Sequence, residues 1–208
     1  MTQVVLASHN AHKLEELRRI LAPLVPGIEL IGYDGPEPVE NGVTFEQNAL
    51  LKARAAAEHT GLPAIADDSG ISVDVLGGCP GIFSARWGGA ARNDQANVDL
   101  LLWQLSDLVD EHRGAAFMCA AALALPSLPA PVEGNEGTES HEVAVLEAWR
   151  GSVLRAPAGE GGFGYDPIFL PEGETRSAAQ LTAEEKDAVS HRRRAFTALS
   201  TELLRRLP

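Results

Sequence analysis

The sequence predicts an α/β protein in which three layers are built around a mixed sheet. Short apolar runs of strand length alternate along the chain with segments whose apolar residues recur at helical spacing. The chain has 208 residues, of which 45% are hydrophobic, so it can bury one sizeable core. We therefore expect one compact domain over residues 1–208, with two closely joined lobes as the alternative.

Strands and helices alternate in the first 75 residues. Apolar runs predict four strands, at residues 4–7, 28–31, 64–66 and 71–75. Apolar spacing predicts a helix over residues 13–24, and a capping-box pattern of Thr44 with Gln47 begins a second helix that Gly61 can end. Between the last two strands, residues 67–70 read Asp-Asp-Ser-Gly and predict a polar turn.

The rest of the chain continues this mixture. A helix is predicted over residues 93–108, and further strands at residues 117–125, 143–149, 153–154 and 168–170. Residues 126–142 are rich in Pro, Gly, Glu and Ser, and predict an exposed, flexible loop. Thr182 with Glu185 forms another capping box, which begins a final helix that runs to about residue 206.

Composition and charge exclude several classes of function. The formal charge of −12, without a long basic run, argues against a nucleic-acid polymer as a partner. Cys79 and Cys119 are too few for a zinc site, so we expect ordinary core thiols. The longest apolar stretch, residues 115–125, is shorter than the ~18 residues of a membrane span, and the N-terminus shows no secretory signal. We therefore expect a soluble, cytoplasmic protein with no membrane partner.

The first predicted loop gathers donors between a strand and a helix. Ser8, His9, Asn10 and Lys13 lie there, where the free amides at a helix start can receive a phosphate. The alternative is that Ser8 or Asn10 only caps the helix and that Lys13 is a solvated surface charge. The loop differs from a Walker loop, because the glycines and the Gly-Lys-Ser/Thr ending are missing.

Asp67 and Asp68 place two adjacent carboxylates between apolar runs. Mg²⁺ prefers carboxylate and water oxygens and can bridge to phosphates, and a carboxylate can also deprotonate an attacking water. Glu40, just before the second helix, can add a carboxylate, while Asn48 and Lys52 share one face of that helix. The alternative is an Asx turn at residues 67–70 and a solvated Glu40.

A glycine-rich segment surrounds Phe163, Tyr165 and Asp166. Glycine permits close backbone approach, so the two aromatic rings can stack on a flat base while Asp166 accepts a hydrogen bond. The alternative is a tight start to a strand with two core aromatics. Lys186 and the following Ser-His-Arg at 190–192 add donors near the last helix, where a solvated helix face is the alternative.

Taken in order, these motifs resemble those of the inosine triphosphate pyrophosphatase family, also called the XTP/dITP diphosphatases. The matching motifs are Ser8-x-Asn10-x-x-Lys13, Glu40-x-Gly42-x-Thr44-Phe45-x-x-Asn48-Ala49-x-x-Lys52-Ala53, Ala66-Asp67-Asp68-Ser69-Gly70, Pro80-Gly81-x-x-Ser84-Ala85-Arg86, Gly162-Phe163-Gly164-Tyr165-Asp166-Pro167 and Lys186-x-x-x-Ser190-His191-Arg192. They cover nearly the whole chain. The resemblance implies a homodimer and an elongated α/β fold with two lobes around a central nucleotide-binding cleft.

The resemblance also implies a reaction and a role for each residue. The reaction is Mg²⁺-dependent hydrolysis of non-standard purine nucleotides such as ITP, dITP and XTP to the monophosphate and pyrophosphate. Asp68 is then the proton acceptor that activates water and a metal ligand, and Glu40 is the second metal-site carboxylate. The residues expected to hold the phosphates and sugar are Ser8, His9, Asn10, Lys13, Lys52 and Ser69. Those expected to hold the base and the nearby phosphate are Phe163, Gly164, Tyr165, Asp166, Lys186, His191 and Arg192.

Two departures from the family pattern and two other functions are part of the prediction. His9 stands where many relatives have a small residue, and the loop at 126–142 is longer than the family needs. A pyrophosphatase for modified pyrimidine nucleotides is the alternative enzyme. The base pocket decides between purine and pyrimidine substrates, and the sequence resolves that pocket poorly. A non-catalytic nucleotide sensor is a further alternative, although it would not need the carboxylates of Asp68 and Glu40 close to phosphates that they repel.

Overall fold

The computed structural model describes residues 2–91, 93–126 and 141–207. Six strands form one sheet in the order β2-β1-β3-β4-β5-β6. Their bounds are β1 Thr2–Leu6, β2 Ile28–Gly32, β3 Ala64–Val73, β4 Gly114–Ala124, β5 Glu142–Val153 and β6 Phe169–Pro171. Because β1 is parallel to β2 and β3 while β5 is antiparallel to β6, the sheet is mixed, as predicted.

Five α-helices accompany the described strands. They are α1 Ala11–Leu21, α2 Phe45–Thr60, α3 Asp94–Gln104, α4 Ala183–Val189 and α5 His191–Arg206. The predicted caps of α2 are confirmed: the Thr44 side chain accepts a hydrogen bond from the Gln47 amide, and Gly61 ends the helix in the left-handed conformation with φ +69°. The capping box of Thr182 with Glu185 is also confirmed at the start of α4. None of the helices in the described ranges is both long and apolar enough to cross a membrane.

The predicted turn at residues 67–70 is wrong, because these residues continue β3 without interruption. Each aspartate of the motif is paired with a lysine, which removes the reason for the carboxylates to leave the sheet for water. Gly70 serves packing instead of a turn, since a Cβ atom there would collide with the Ser84 hydroxyl. Successive side chains of a strand point to opposite faces, so Asp67 and Asp68 serve different surroundings.

Two further predictions of element bounds are wrong. The strands expected at 143–149 and 153–154 are one strand, β5, in which Gly151 lets the neighbouring β6 backbone approach. The single helix expected to run to about residue 206 is two helices, because Ser190 is extended, with φ −63° and ψ 160°. Its hydroxyl then accepts a hydrogen bond from the Arg193 amide at the start of α5. The loop predicted at 126–142 falls almost entirely outside the described residues.

The chain divides into two compact units. The first unit comprises Met1–Asp68, Ala120–Leu146 and Ala195–Pro208, and the second comprises Ser69–Cys119 and Glu147–Arg194. In the first unit the apolar face of α1 and most alanines of α2 are buried, together with the end of β1 and much of α5. In the second unit one buried cluster includes Ile71, Leu101, Phe117, Trp149 and Phe169. Each unit holds one group of the predicted site residues.

Candidate active site

The first unit contains two carboxylate–lysine pairs that β3 holds on its two faces. Asp67 Oδ1 lies 2.8 Å from Lys13 Nζ, and its side chain is only 1% exposed. Asp68 Oδ1 lies 3.1 Å from Lys52 Nζ. Because β3 is regular, the helix that carries Lys13 and the helix that carries Lys52 each neutralise a different aspartate.

Lys52 also contacts a second carboxylate. Its Nζ lies 2.9 Å from Glu40 Oε1, so Glu40 and Asp68 converge on one ammonium group. Asn48, one turn earlier on α2, donates from Nδ2 to Asp68 Oδ2 at 3.3 Å. Its Oδ1 accepts from the Gly42 amide at 2.9 Å, which ties the loop that bears Glu40 to the same helix.

Burial and charge act in opposite directions on this group. Burial raises the pKa of Asp68, and the nearby Lys52 ammonium offsets only part of that increase. Burial lowers the pKa of Lys52, but Asp68, Asp67 and Glu40 together outweigh it and leave that pKa above its usual value. Lys52 is therefore an ammonium at neutral pH, and Asp68 is a stronger proton acceptor than an ordinary exposed aspartate.

The donor set also fits a hard divalent cation. Within residues 2–91, 93–126 and 141–207, no three His, Cys, Asp or Glu side chains form a group that could hold a metal. Mg²⁺ commonly uses only one or two carboxylates, with water and substrate phosphates as its other ligands. Glu40 and Asp68, which both contact the Lys52 ammonium, match that requirement.

The loop before α1 has a defined local structure. Asn10 caps the helix, because its Oδ1 accepts from the Lys13 amide at 3.1 Å, and Ser8 Oγ accepts from the Asn10 amide at 3.2 Å. His9 Nε2 lies 2.9 Å from the Gly35 carbonyl oxygen, and its Nδ1 lies 3.1 Å from Glu37 Oε1. His9 therefore links this loop to the segment that leads to Glu40.

The second unit contains a pocket of about 140 Å³. Apolar and polar side chains both line it, as is usual for a site that binds a small organic ligand. The lining residues are Ser69, Gly70, Ser84, Ala85, Asp94, Asn97, Phe117, Phe163, Gly164, Tyr165, Asp166, Lys186 and His191.

A short aromatic loop on the pocket wall is fixed by two carboxylates. Asp166 Oδ2 accepts from the Phe163 amide at 2.9 Å and also from Lys186 Nζ. Asp94 Oδ2 accepts from the Gly164 amide at 3.1 Å. The Phe163 ring stays 62% exposed, with the Lys186 ammonium 4.9 Å from its centroid. An exposed ring held in this way is available to stack on a flat ligand.

Two other pocket residues are anchored in the core of the second unit. The Tyr165 hydroxyl donates to the Ser84 carbonyl oxygen at 2.9 Å, and burial raises the pKa of this phenol. His191 stacks on Phe117, with ring centroids 4.9 Å apart and planes 16° apart. This stacking gives the His191 imidazole a fixed orientation. The next residue, Arg192, is buried but does not line the pocket.

Comparison with known proteins gives this arrangement a family. Residues 4–202 match the model of the Ham1 family. The chain belongs to the Ham1 family.

Proteins from several bacteria align with almost the whole length of this Ham1-family chain. A dITP/XTP pyrophosphatase of Streptomyces coelicolor is 58% identical, with 96% of each chain covered. The crystal structure of a nucleoside-triphosphatase, or dITP/XTP pyrophosphatase, from Mycobacterium abscessus is 51% identical, covers 95% of this chain and 98% of its own, and has a TM-score of 0.73. A HAM1 protein structure from Coxiella burnetii is 38% identical, covers 99% and 100%, and has a TM-score of 0.84.

The predicted site residues of this Ham1-family chain fall into two groups. In the first unit, Glu40, Lys52 and Asp68 lie together, whereas Lys13 pairs with Asp67. Ser8 and Asn10 make contacts within their own loop, whereas His9 contacts Gly35 and Glu37 in the segment that leads to Glu40. The predicted residues that line the pocket of the second unit are Ser69, Phe163, Gly164, Tyr165, Asp166, Lys186 and His191.

Several residues of both groups were not predicted as site residues. Asn48 holds Asp68, and its spacing from Lys52 on α2 was a signal for that position. Ser84 belongs to a matching motif, but its place in the pocket had no sequence signal. Phe117 and Asp94 resemble an ordinary core aromatic and an acid in the first turn of a helix, so their roles appear only in three dimensions.

Proposed function

We propose that this chain is a dITP/XTP pyrophosphatase that hydrolyses dITP, ITP and XTP to the monophosphate and pyrophosphate. The observation that carries the proposal is the 58% identity to the Streptomyces coelicolor dITP/XTP pyrophosphatase over 96% of both chains. The carboxylate–lysine group and the aromatic pocket supply the two kinds of chemistry that such a substrate needs, for the phosphates and for the base.

Asp68 is the proposed proton acceptor. Burial raises its pKa, which makes the carboxylate a better base than an exposed aspartate. In the proposed step, a water oxygen bonds to the α-phosphorus and a water proton passes to Asp68. The bond from the α-phosphorus to the bridging oxygen breaks, and pyrophosphate leaves with that oxygen. General-base catalysis by one carboxylate is typically worth about 10²–10⁴-fold in rate.

Glu40 and Asp68 are the proposed holders of Mg²⁺. When bound, Mg²⁺ supplies positive charge that offsets the charge of the phosphates and of the leaving pyrophosphate. Lys13 and Lys52 add charge for the phosphates. Ser8, His9 and Asn10 are proposed to position phosphate and sugar, together with the amides before α1.

The pocket of the second unit is the proposed base site. Ser69, which lines this pocket, directly follows Asp68 in the sequence. Any base can stack on Phe163, because every base has a flat π-face, so selection between bases must come from polar groups. A donor of His191, which lines the pocket, is proposed to pair with the 6-oxo group of hypoxanthine or xanthine, whereas the 6-amino group of adenine offers it no acceptor. Arg192, the next residue, is buried and does not line the pocket, and it stays a predicted second donor. The loop residues Gly164, Tyr165, Asp166 and Lys186 complete this site.

The proposal extends to assembly, fold and location. A homodimer is proposed on the strength of the sequence motifs, and light scattering of the purified protein measures it. A cytoplasmic location is proposed because the substrates belong to the nucleotide pool. The three-layer, elongated arrangement of two lobes around a nucleotide cleft stays a prediction.

A panel of nucleotides tests the function. With Mg²⁺ present, dITP and XTP are expected to give one pyrophosphate per monophosphate, while dATP and dTTP react far more slowly. Preferential hydrolysis of modified pyrimidine nucleotides would instead support the alternative enzyme. Binding of dITP without any product would support the sensor. Inorganic phosphate released with a diphosphate product would refute the proposed bond cleavage.

A further inference from the structure

Lys52 contacts the proposed metal-binding carboxylates and is also proposed to bind the substrate phosphates. Its Nζ contacts Glu40 Oε1 at 2.9 Å and Asp68 Oδ1 at 3.1 Å, and these are the two carboxylates proposed to hold the divalent cation. The same ammonium is proposed to bind substrate phosphate. One charged group cannot make both sets of contacts with full strength, because phosphate and carboxylate compete for the same donors.

The surroundings make this contact specific. The side chains of Lys52 and Asp68 are 16% and 13% exposed, so water gives the ammonium only limited alternatives. Asn48 holds the second oxygen of Asp68, which keeps the carboxylate aimed at Lys52.

We propose that Lys52 is an internal counter-ion that competes with the divalent cation for Glu40 and Asp68 and moves to the substrate phosphates when the cation binds. This inference rests on the proposed function, because it assigns an order of events to the same site. A cation that arrives alone must displace the ammonium. When the cation arrives with a nucleotide, the phosphates of that nucleotide offer Lys52 a new anionic partner.

The exchange couples the two ligands. Without nucleotide the carboxylate pair already carries a counter-charge, and a divalent cation gains little by replacing it. With nucleotide, Lys52 and the cation each have their own anions. Binding free energies are reciprocal, so nucleotide must also bind more tightly when the cation is present, and such couplings are typically about 5- to 150-fold.

Variants at two lysines separate displacement from simple charge repulsion. Lys52→Gln removes the competitor, and Lys52→Arg keeps a charged donor at the same place. Lys13→Gln is the matched control, because it removes the same charge from the same unit but from Asp67 instead of Asp68. Mn²⁺ alone, followed by electron paramagnetic resonance, is the probe, and no nucleotide is added.

We expect Lys52→Gln to bind Mn²⁺ about 5- to 150-fold more tightly than the wild type. Lys52→Arg should stay near the wild type, and Lys13→Gln should change the affinity much less than Lys52→Gln. Equal Mn²⁺ affinity of the wild type and Lys52→Gln would overturn the exchange, including the case in which neither binds. An equal gain in Lys13→Gln and Lys52→Gln would also overturn it, because a field effect would then be sufficient.

A second measurement uses the wild-type protein and does not depend on the folding of a variant. The chain has three lysines, Lys13, Lys52 and Lys186, so ¹³Cε-lysine labelling gives three resolvable NMR signals. Saturating Mg²⁺ should shift the Lys52 signal and leave the other two nearly unchanged. An unmoved Lys52 signal at a Mg²⁺ concentration that stabilises the protein would refute the exchange. Hydrolysis of dITP by the wild type decides the proposed function separately.

Discussion

The change Asp68→Asn, compared with Asp67→Asn, tests how the structure divides two neighbouring carboxylates. Both substitutions keep the shape of the side chain and remove one charge from β3. Asp68 faces Lys52 and Asn48, whereas Asp67 is buried against Lys13. We therefore expect Asp68→Asn to reduce turnover and Asp67→Asn to reduce stability.

The magnitudes follow from these surroundings. Loss of the general base should lower kcat for dITP by about 10²–10⁴-fold, which is about 2.7–5.4 kcal/mol of activation free energy. The unfolding temperature of Asp68→Asn should change little, because burial already raises the pKa of Asp68 and the neutral amide avoids that desolvation. Asp67→Asn loses a charged hydrogen bond worth about 1.5–3 kcal/mol, or about 3–12 °C in a domain of this size.

The assay combines two measurements on each variant. Pyrophosphate release from dITP at saturating Mg²⁺ gives kcat and KM, and differential scanning calorimetry gives the unfolding temperature. Near-normal kcat in Asp68→Asn would refute its assignment as the base. The division between the two faces of β3 would be wrong if Asp67→Asn lost as much turnover as Asp68→Asn without losing stability.

Three other predictions concern stability, pH and base selection. Arg113 is buried and donates to the backbone carbonyls of Leu105, Val153 and Leu154, so Arg113→Met should lower the unfolding free energy by about 3 kcal/mol or more. An unchanged unfolding temperature would contradict this, and Arg113→Lys should fall in between. A hydrogen bond from Arg54 holds the pKa of Glu142 below its usual value of 4.5. This pair therefore stabilises the fold at any pH above 4.5, and the stabilisation is lost as the pH falls through the lowered pKa. The exposed pair is worth about 0.2–1 kcal/mol, so the calorimetric difference between Glu142→Gln and the wild type should be present at neutral pH and vanish in acid; a difference that grows in acid would refute it. Arg192→Ala should lower kcat/KM for ITP more than for ATP, by about 1–3 kcal/mol of discrimination; equal losses would assign Arg192 to the phosphates or the fold.

Local sequence signals predicted the elements whose ends are set by local hydrogen bonds. Thr44 and Gly61 mark α2 correctly, because a hydroxyl at the start and a left-handed glycine at the end satisfy the free backbone groups of any helix. Residues 67–70 misled the prediction, because Asp, Ser and Gly are typical of turns, whereas here lysines pair with both aspartates inside a strand. Lys13 and Lys52 are distant in sequence, so their effect on β3 had no local signal.

The candidate site shows the same difference between local and distant information. Asn48 and Lys52 share a helix face by spacing alone, and they do meet at Asp68. Glu40 had no local signal that would bring it to Lys52. Phe117 lies on β4 and His191 is the first residue of α5, so their stacking depends on how this helix packs against the sheet and has no local signal in the sequence.

Hydrolysis in water labelled with ¹⁸O tests the central claim most directly. If Asp68 activates a water that attacks the α-phosphorus of dITP, the label must appear in the monophosphate, and pyrophosphate must stay unlabelled. We expect one labelled oxygen per monophosphate by mass spectrometry, with the reaction suppressed in Asp68→Asn. Label in the pyrophosphate, or release of labelled inorganic phosphate with a diphosphate, would contradict the account.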